Sequence, residues 1–409
     1  MQRGHVHRFL GVLQHLQGRG FEIGLCARAG AENGREIATQ IEVAGIDVRW
    51  SPRRPDAPTR GLTLARTELV RTMDRDMLRR WYRARVERTL HPDRVAEVRQ
   101  AIADLSPSVV VIDSLMYNAA VAAELEGVPW AAVTTMLLTV APREWPSTQR
   151  DLAEDTAAWT LERMRELGAE TVTLRGPDVV SPWLNVVFTT EAFVARSMSD
   201  NCSSFFVGPP RAVHTRGDDA KSGFPWERLR TDVPIVYVAS GGGHAFSFGP
   251  AEYETICRSL GPEEAQFVCA VQHLEDHPVI RGLPEPTICV RYAPQVELLE
   301  RHAAIVVTHG GQNTVDESLS CGRPLVVVPL WGDQEVVASA VQASGAGLVL
   351  PREGLTVEAC RGAFRRLLED GSFKAAAERI QRSFLAHNGS ANAADLIARL
   401  AATRAPLLA

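Results

Sequence analysis

A histidine followed by two glycines, and acid and amide side chains close behind it, mark the stretch of this chain best equipped for chemistry. In THGGQNTVDESLSCGRPLVVVPLWGDQ, Thr308 to Gln334, an apolar run ends at His309, Gly310 and Gly311 follow, and a helical pattern runs from about Gln312 to Cys321 before Gly322 stops it. The free amides of a helix's first turn, together with its dipole, form an anion site. An imidazole at the same place adds a hydrogen bond to phosphate oxygens, so diphosphate is the natural occupant. Alternatively His309 is a cap or a buried hydrogen-bond partner, and Glu317 is the capping-box partner of Thr314, since T-x-x-E has that spacing. Asp333 and Gln334 follow the next apolar run. A carboxylate beside an amide offers an acceptor and a mixed donor–acceptor pair, which suits vicinal sugar hydroxyls.

In RYAPQVELL, Tyr292 either stacks on a nucleobase while Gln295 reads the base edge, or fills ordinary core. After PIVYVAS, the run Gly241, Gly242, Gly243 and His244 is either a loop whose amides approach an anion closely or a flexible turn. Two other chemistries fail on spacing. A nucleophile elbow at Ser240 needs a glycine two residues earlier, where Val238 stands. His5 and His7 continue into a helical pattern, in which positions two apart face different ways, so they make no metal pair. No acidic cluster suited to a metal is written in the chain, and none is expected to be bound.

Apart from His5, these residues sit just after apolar runs of strand length. FEIGLCA, SVVVID, WAAVTT, LNVVFTT and SSFFVG lie in the first half, and PIVYVAS, AQFVCAV, TICVRY, AAIVVTH and PLVVVP in the second, alternating with helical patterns. Short runs rich in Val and Ile, separated by helix-length segments, predict buried parallel strands in βαβ units, and in such sheets ligands bind beyond the carboxyl ends of the strands. The predicted class is α/β, with two doubly wound parallel-sheet domains. Periodicity lapses where Pro, Gly and charge concentrate, which places a linker over 208–232 between domains at 1–207 and 233–409. Residues 54–104 are arginine-rich and helical in pattern. They read as a solvated insertion laced with ion pairs, or as a cap over an acidic acceptor.

Composition sets the outer limits. A chain of 409 residues is too long for one ordinary core, and 45% hydrophobic with 23% charged residues is the balance of a soluble globular protein. The formal net charge of -5 gives no electrostatic reason to bind nucleic acid. Lys221 and Lys374 are the only lysines among 44 basic residues, a coding bias and not a functional signal. Cys26, Cys202, Cys257, Cys269, Cys289, Cys321 and Cys360 are odd in number and never spaced C-x-x-C, which predicts reduced thiols in a cytosolic compartment. Polar residues interrupt the N-terminus, so no leader peptide is expected, and PWAAVTTMLLTVAP falls short of the roughly 20 residues a spanning helix needs. A soluble cytoplasmic protein is expected, monomer or homodimer.

YAPQVELL, HGGQNTVDE, CGRPLVVVP and GDQ, in that order and spacing, resemble the donor-binding signature of the nucleotide-sugar-dependent glycosyltransferases of the GT-B fold, family 1. That family includes bacterial macrolide and antibiotic glycosyltransferases and the UDP-glycosyltransferases of plants and animals. The resemblance spans nearly the whole chain and is strongest after residue 232. It implies two Rossmann-like domains facing across a cleft, the first binding the acceptor and the second the nucleotide sugar. Tyr292, where the family usually has Trp, and Gln295 would hold the base, and Glu317 the ribose hydroxyls. His309 with Gln312, Asn313 and Thr314 would hold the diphosphate, and Asp333 with Gln334 the transferred sugar, while Gly241, Gly242 and Gly311 form the glycine turns of the same site. Gly242 stands where relatives usually have Ser or Thr, and Val337 where they often have Asn.

RGHVHRFLGVLQHLQGRGFEIGLCA resembles the family's opening loop, first helix and the strand after it, which would make His5 the catalytic base and Asp113 the carboxylate that pairs with it. The reaction implied is a single in-line displacement that inverts the sugar. Its co-substrate is a UDP- or dTDP-sugar, with no further cofactor, and its acceptor a small hydroxylated molecule, a bacterial secondary metabolite such as a polyketide or macrolide. Relatives carry a strand before the loop of this histidine, whereas only Met1 to Arg3 precede Gly4 here. Either the recorded start is internal to the reading frame or the first sheet lacks a strand. A non-catalytic GT-B relative that binds nucleotide sugar or acceptor, and a GT-B sugar-nucleotide epimerase, are the alternative readings.

Overall fold

The computed structural model describes residues 3–26, 41–42, 44–50, 74–134, 137, 150–194, 204–210, 223–240, 247–330 and 333–409. The chain divides into two units: Met1–Thr189, Met198–His214 and His387–Ala409 form the first, and Thr190–Ser197 with Thr215–Ala386 the second.

The first unit contains β1 (Ile23–Leu25), β2 (Val48–Trp50), β3 (Val110–Asp113), β4 (Trp130–Thr134), β5 (Thr173–Arg175), β6 (Asp178–Val180), β7 (Leu184–Val187) and β8 (Phe205–Phe206). Each apolar run read as a strand forms one. β2 and the antiparallel β5–β6 hairpin lack such a run and were not legible. β3, β4, β7 and β8 make a parallel sheet in that order, with Asp113 opposite Val133 and Thr134 opposite Val187. Along β4 the side chains alternate between two cores. Ala131 and Val133 pack with Leu10, Val12 and Leu16 of the helix Arg3–Gln17. Trp130 and Ala132 pack with Val86, Leu90, Val95, Ile102 and Val121 on the other side. A strand covered on both faces is why WAAVTT reads as a continuous apolar run.

Among the described residues no hydrogen-bonded strand joins β1 to β3, so β1 and β2 form a separate parallel pair. Within the arginine-rich insertion, the helix Arg75–Thr89 lies along Arg150–Glu166. Arg75 pairs with Asp151, Arg79 with Asp155, and the Arg83 guanidinium lies 5.9 Å from the centroid of the Trp159 ring, one rung per turn on each helix. For this stretch the ion-paired reading holds, and exposed pairs of this kind contribute about 0–1 kcal/mol each.

The last helix, Gly389–Thr403, lies in the first unit, although the sequence reading left it in the domain 233–409. Its buried Ala393, Ile397 and Leu400 pack with Leu10, Val12 and Leu16. Where this returning segment crosses Gly208, a Cβ on Gly389 would stand 2.2 Å from the Gly208 carbonyl oxygen, and one on Gly208, whose φ is +92, would stand 2.4 Å from His387 Cβ. Asn392 Nδ2 donates to the Val207 carbonyl at 3.0 Å, and Arg19 pairs with Asp395 at 2.5 Å. Helical spacing states that a face must be buried without naming the surface that buries it. The short helix Glu191–Val194 shows the reverse exchange: it belongs to the second unit, where Phe193 meets Phe384 edge-on at 5.9 Å.

The second unit contains β9 (Ile235–Ala239), β10 (Gln266–Ala270), β11 (Ile288–Val290), β12 (Ala303–Thr308), β13 (Leu325–Val327) and β14 (Gly347–Val349) in one parallel sheet of order β11-β10-β9-β12-β13-β14. The chain builds outward from β9 to β11, then returns to the other side of β9 with β12. The topological switch therefore lies between β9 and β12, whose carboxyl ends are Ala239 and Thr308, paired directly. Among the described residues no helix is long and apolar enough to cross a membrane.

Candidate active site

His309 follows β12 at this switch point and leads through two glycines into the helix Gln312–Ser320. Gly311 is the N-cap and offers no side chain to the first-turn amides. Gly310 has φ +92, and a Cβ there would stand 3.1 Å from both the Gln334 carbonyl oxygen and Val327 Cγ1. The HGG turn is thus pressed against the start of the helix Asp333–Ser344. A Cβ on Gly311 would stand 2.6 Å from His309 Cε1 and 2.9 Å from Nε2, so the imidazole lies against the N-cap. The ring is buried, 6.5 Å edge-on from Phe248, with Nδ1 3.4 Å from Thr308 Oγ1. Burial pushes its pKa down to about 4. At neutral pH His309 therefore contributes a hydrogen bond and no charge, and the attraction for an anion comes from the amides and the helix dipole.

The same burial sets a pH dependence of stability. An unfolded histidine titrates near 6.5 and this one near 4, so between those values only the unfolded chain takes the proton. Stability owed to the neutral ring is complete above pH 6.5 and falls as the pH drops toward 4, by about 3 kcal/mol in all. The loss of urea midpoint between pH 7 and pH 4.5 is expected to be smaller in His309→Asn than in the parent; equal losses would show that another group is responsible.

A second group of the candidate residues lies after β11. Tyr292 is 55% exposed, with the Arg291 guanidinium 5.8 Å from its ring centroid, so the core reading does not hold. Gln295 opens the helix Gln295–Arg301. Its Oε1 accepts from the Tyr237 hydroxyl at 3.1 Å, and its Nε2 donates to Glu317 Oε2 at 2.6 Å. Glu317 is therefore not the capping-box partner of Thr314: with Gly311 as N-cap, Thr314 falls inside the first turn and the carboxylate reaches Gln295 instead. Tyr237 was not singled out in the sequence. A tyrosine in the middle of a buried strand, PIVYVAS, must find a partner for its hydroxyl, and that was the available signal.

Gln312 and Thr314 are buried and Asn313 half-buried. Gln312 Nε2 donates to Asp316 Oδ1 at 2.7 Å, while the buried Oε1 has no hydrogen-bond partner among the described residues. Asp333 begins its helix, and Gln334 Oε1 accepts from the Leu330 amide at 2.8 Å. Val337, where relatives often carry Asn, is fully buried. Gly241 and Gly242 lie outside the described residues. Just before them Ser240 Oγ stands 3.0 Å from the Tyr253 hydroxyl, which donates to the Ala270 carbonyl at 2.7 Å.

In the first unit Asp113 ends β3, almost fully buried, and its Oδ1 accepts from the Leu115 amide at 3.1 Å. A bond to the amide two residues on is the turn-forming bond that an Asp at a strand end makes. His5 falls in the first turn of the helix Arg3–Gln17, and its side chain lies outside the described ones. Among the described residues no group of three or more His, Cys, Asp and Glu side chains is arranged to hold a metal ion.

Residues 256–400 match the family model described as Erythromycin biosynthesis protein CIII-like, C-terminal domain. The curated "Uncharacterized UDP-glucosyltransferase YojK" of Bacillus subtilis (strain 168) is 29% identical over 216 residues, 52% of this chain and 51% of that protein. The chain spans about half the length of the first curated relatives it matches. Among solved structures, CalG4, the calicheamicin glycosyltransferase, superposes with a TM-score of 0.71 at 22% identity, covering 97% of that protein and 99% of this one. Glycosyltransferase VinC in complex with dTDP superposes with a TM-score of 0.66 at 19% identity, covering 97% of that protein and 98% of this one. These superpositions show that the chain has the GT-B fold, and its residues 256–400 are similar to the C-terminal domain of that family model.

Proposed function

We propose that this chain is an inverting glycosyltransferase that moves a sugar from a UDP- or dTDP-sugar to a hydroxyl of a small acceptor, a bacterial secondary metabolite of the polyketide or macrolide kind. The observation that carries the reading is the second unit's switch point. An uncapped helix N-terminus with a neutral imidazole across it stands at one position, and a Gln295–Glu317 pair oriented by Tyr237 at another. The first suits a diphosphate; the second suits a base edge and ribose hydroxyls, with Tyr292 exposed for stacking. Gln312, Asn313 and Thr314 join His309 at the diphosphate, and Asp333 with Gln334, at the start of the next helix, binds the transferred sugar. VinC, of the same fold, is a structure in complex with dTDP.

In the mechanism His5, polarised by Asp113, removes the proton from the acceptor hydroxyl, whose oxygen attacks the anomeric carbon. The bond to the nucleoside diphosphate breaks on the opposite face and the sugar inverts. The leaving charge is stabilised by the amides at Gly311 and Gln312, so the reaction draws on no cofactor beyond the nucleotide sugar.

Calorimetric titration of UDP and of dTDP into the full chain, beside His309→Ala, tests the donor site. Micromolar binding of one nucleotide that weakens in the variant is the expected result and selects the carrier. Absence of heat from folded protein with either nucleotide would overturn the reading, and donor binding without nucleotide release across a panel of hydroxylated acceptors would leave the non-catalytic one.

A further inference from the structure

Three cysteines that take no part in this chemistry meet in the second unit. Cys269 on β10 and Cys289 on β11 are directly opposite in the parallel ladder. Cys257, the last residue of the helix Pro250–Cys257, places its Sγ 3.5 Å from that of Cys269, and all three belong to one core cluster. Paired strands stand about 4.8 Å apart, within the Cα separation of about 4.4–6.8 Å that a disulfide spans.

The three sulfurs differ in access and in charge. Cys257 and Cys269 are fully buried, whereas Cys289 lies half-buried on β11, the edge strand of the sheet. Burial holds the Cys269 thiol well above its ordinary pKa, so it stays protonated. The hydrogen bond from Cys269, with the Arg228 guanidinium adding its charge, draws the Cys289 thiol below its ordinary value despite partial burial. The accessible sulfur is thus the nucleophile, and a protonated thiol faces it.

We propose that Cys269 and Cys289 form a modification site, a reversible disulfide made by peroxide, with Cys289 as the attacking sulfur. Its thiolate attacks one oxygen of hydrogen peroxide, forming an S–O bond and releasing hydroxide. The Cys269 sulfur then displaces the remaining hydroxyl, which leaves as water with the Cys269 proton, and the S–S bond closes. One thiolate, one thiol and one peroxide give one disulfide, one water and one hydroxide, with two electrons passing from the sulfurs to the peroxide oxygens. Cys257, buried where Cys289 is half-buried, is the less accessible to oxidant and remains a thiol. β11 continues into Arg291, Tyr292 and Gln295, so the bond ties the nucleoside-side loop to the neighbouring strand. The site is independent of the sugar-transfer reading.

The full chain, treated with a small molar excess of hydrogen peroxide, alkylated and digested without reductant, is mapped by mass spectrometry beside Cys289→Ser and Cys257→Ser. A linked Cys269–Cys289 peptide is expected in the parent and in Cys257→Ser, absent from Cys289→Ser, and lost on adding dithiothreitol. A Cys257–Cys269 link in the parent, sulfinic acid at Cys289 with no link, or an untouched Cys289 while the exposed Cys26 is oxidised would each overturn the proposal. The parent map decides among these even where a variant fails to fold.

Discussion

His5→Ala is expected to lower the turnover of sugar transfer by about 10²- to 10⁴-fold, the range that a positioned general base contributes, while the dissociation constant for UDP or dTDP stays within about twofold. The separation follows from where the groups lie in the chain. His5 belongs to the first unit, and the residues assigned to the nucleotide belong to the second. Each unit has its own sheet and its own buried clusters, so removal of one imidazole from the first leaves the second intact. Nucleotide release from donor and acceptor, measured beside calorimetry, gives both numbers. Unchanged turnover would remove His5 from the mechanism, and parallel loss of nucleotide affinity would assign it a folding role.

Gly311→Ala is expected to weaken nucleotide binding by roughly 10- to 100-fold. The new methyl would meet His309 Cε1 at 2.6 Å and Nε2 at 2.9 Å. The ring is buried near Phe248 and has little room to retreat, so either the imidazole leaves its place or the first helical turn shifts. Overpacking of this order costs about 1–3 kcal/mol, and here the strain falls on the amides assigned to the diphosphate. Gly371→Ala supplies the control: a Cβ there meets nothing within 4 Å, and affinity is expected to stay within about twofold. Calorimetry on both variants distinguishes a local clash from a general intolerance of added bulk. Equal affinities for Gly311→Ala and the parent would show that the HGG turn does not hold the ligand.

Much of this arrangement was legible from residue order. FEIGLCA, PIVYVAS and AAIVVTH become β1, β9 and β12, and Gly322 ends its helix at φ +64, because apolar runs and glycine stops act on their own neighbourhood. The segments VRW and TLR, by contrast, were passed over. β2 owes its strand to β1, and among the described residues β5 pairs only with β6, so their conformation comes from a neighbour and not from an apolar run of their own. Tyr292 shows the same limit from the other side: an aromatic after a strand suits either core or ligand, and only its exposure separates the two.

By itself the sequence determined the α/β class, the strands that carry the candidate residues, the glycine turn at Gly310 and Gly311, and the order of motifs that resembles a GT-B donor signature. These depend on spacing, and spacing is a local property of the chain. The tertiary structure decided that β9 lies beside β12, that Gln295 bonds Glu317 and is held by Tyr237, that the helix Gly389–Thr403 completes the first unit, and that Cys269 stands opposite Cys289. A periodic apolar face or a polar side chain specifies only that it must be covered or paired. Which distant segment supplies the cover or the partner is settled when the sheet order and the helix crossings are fixed together.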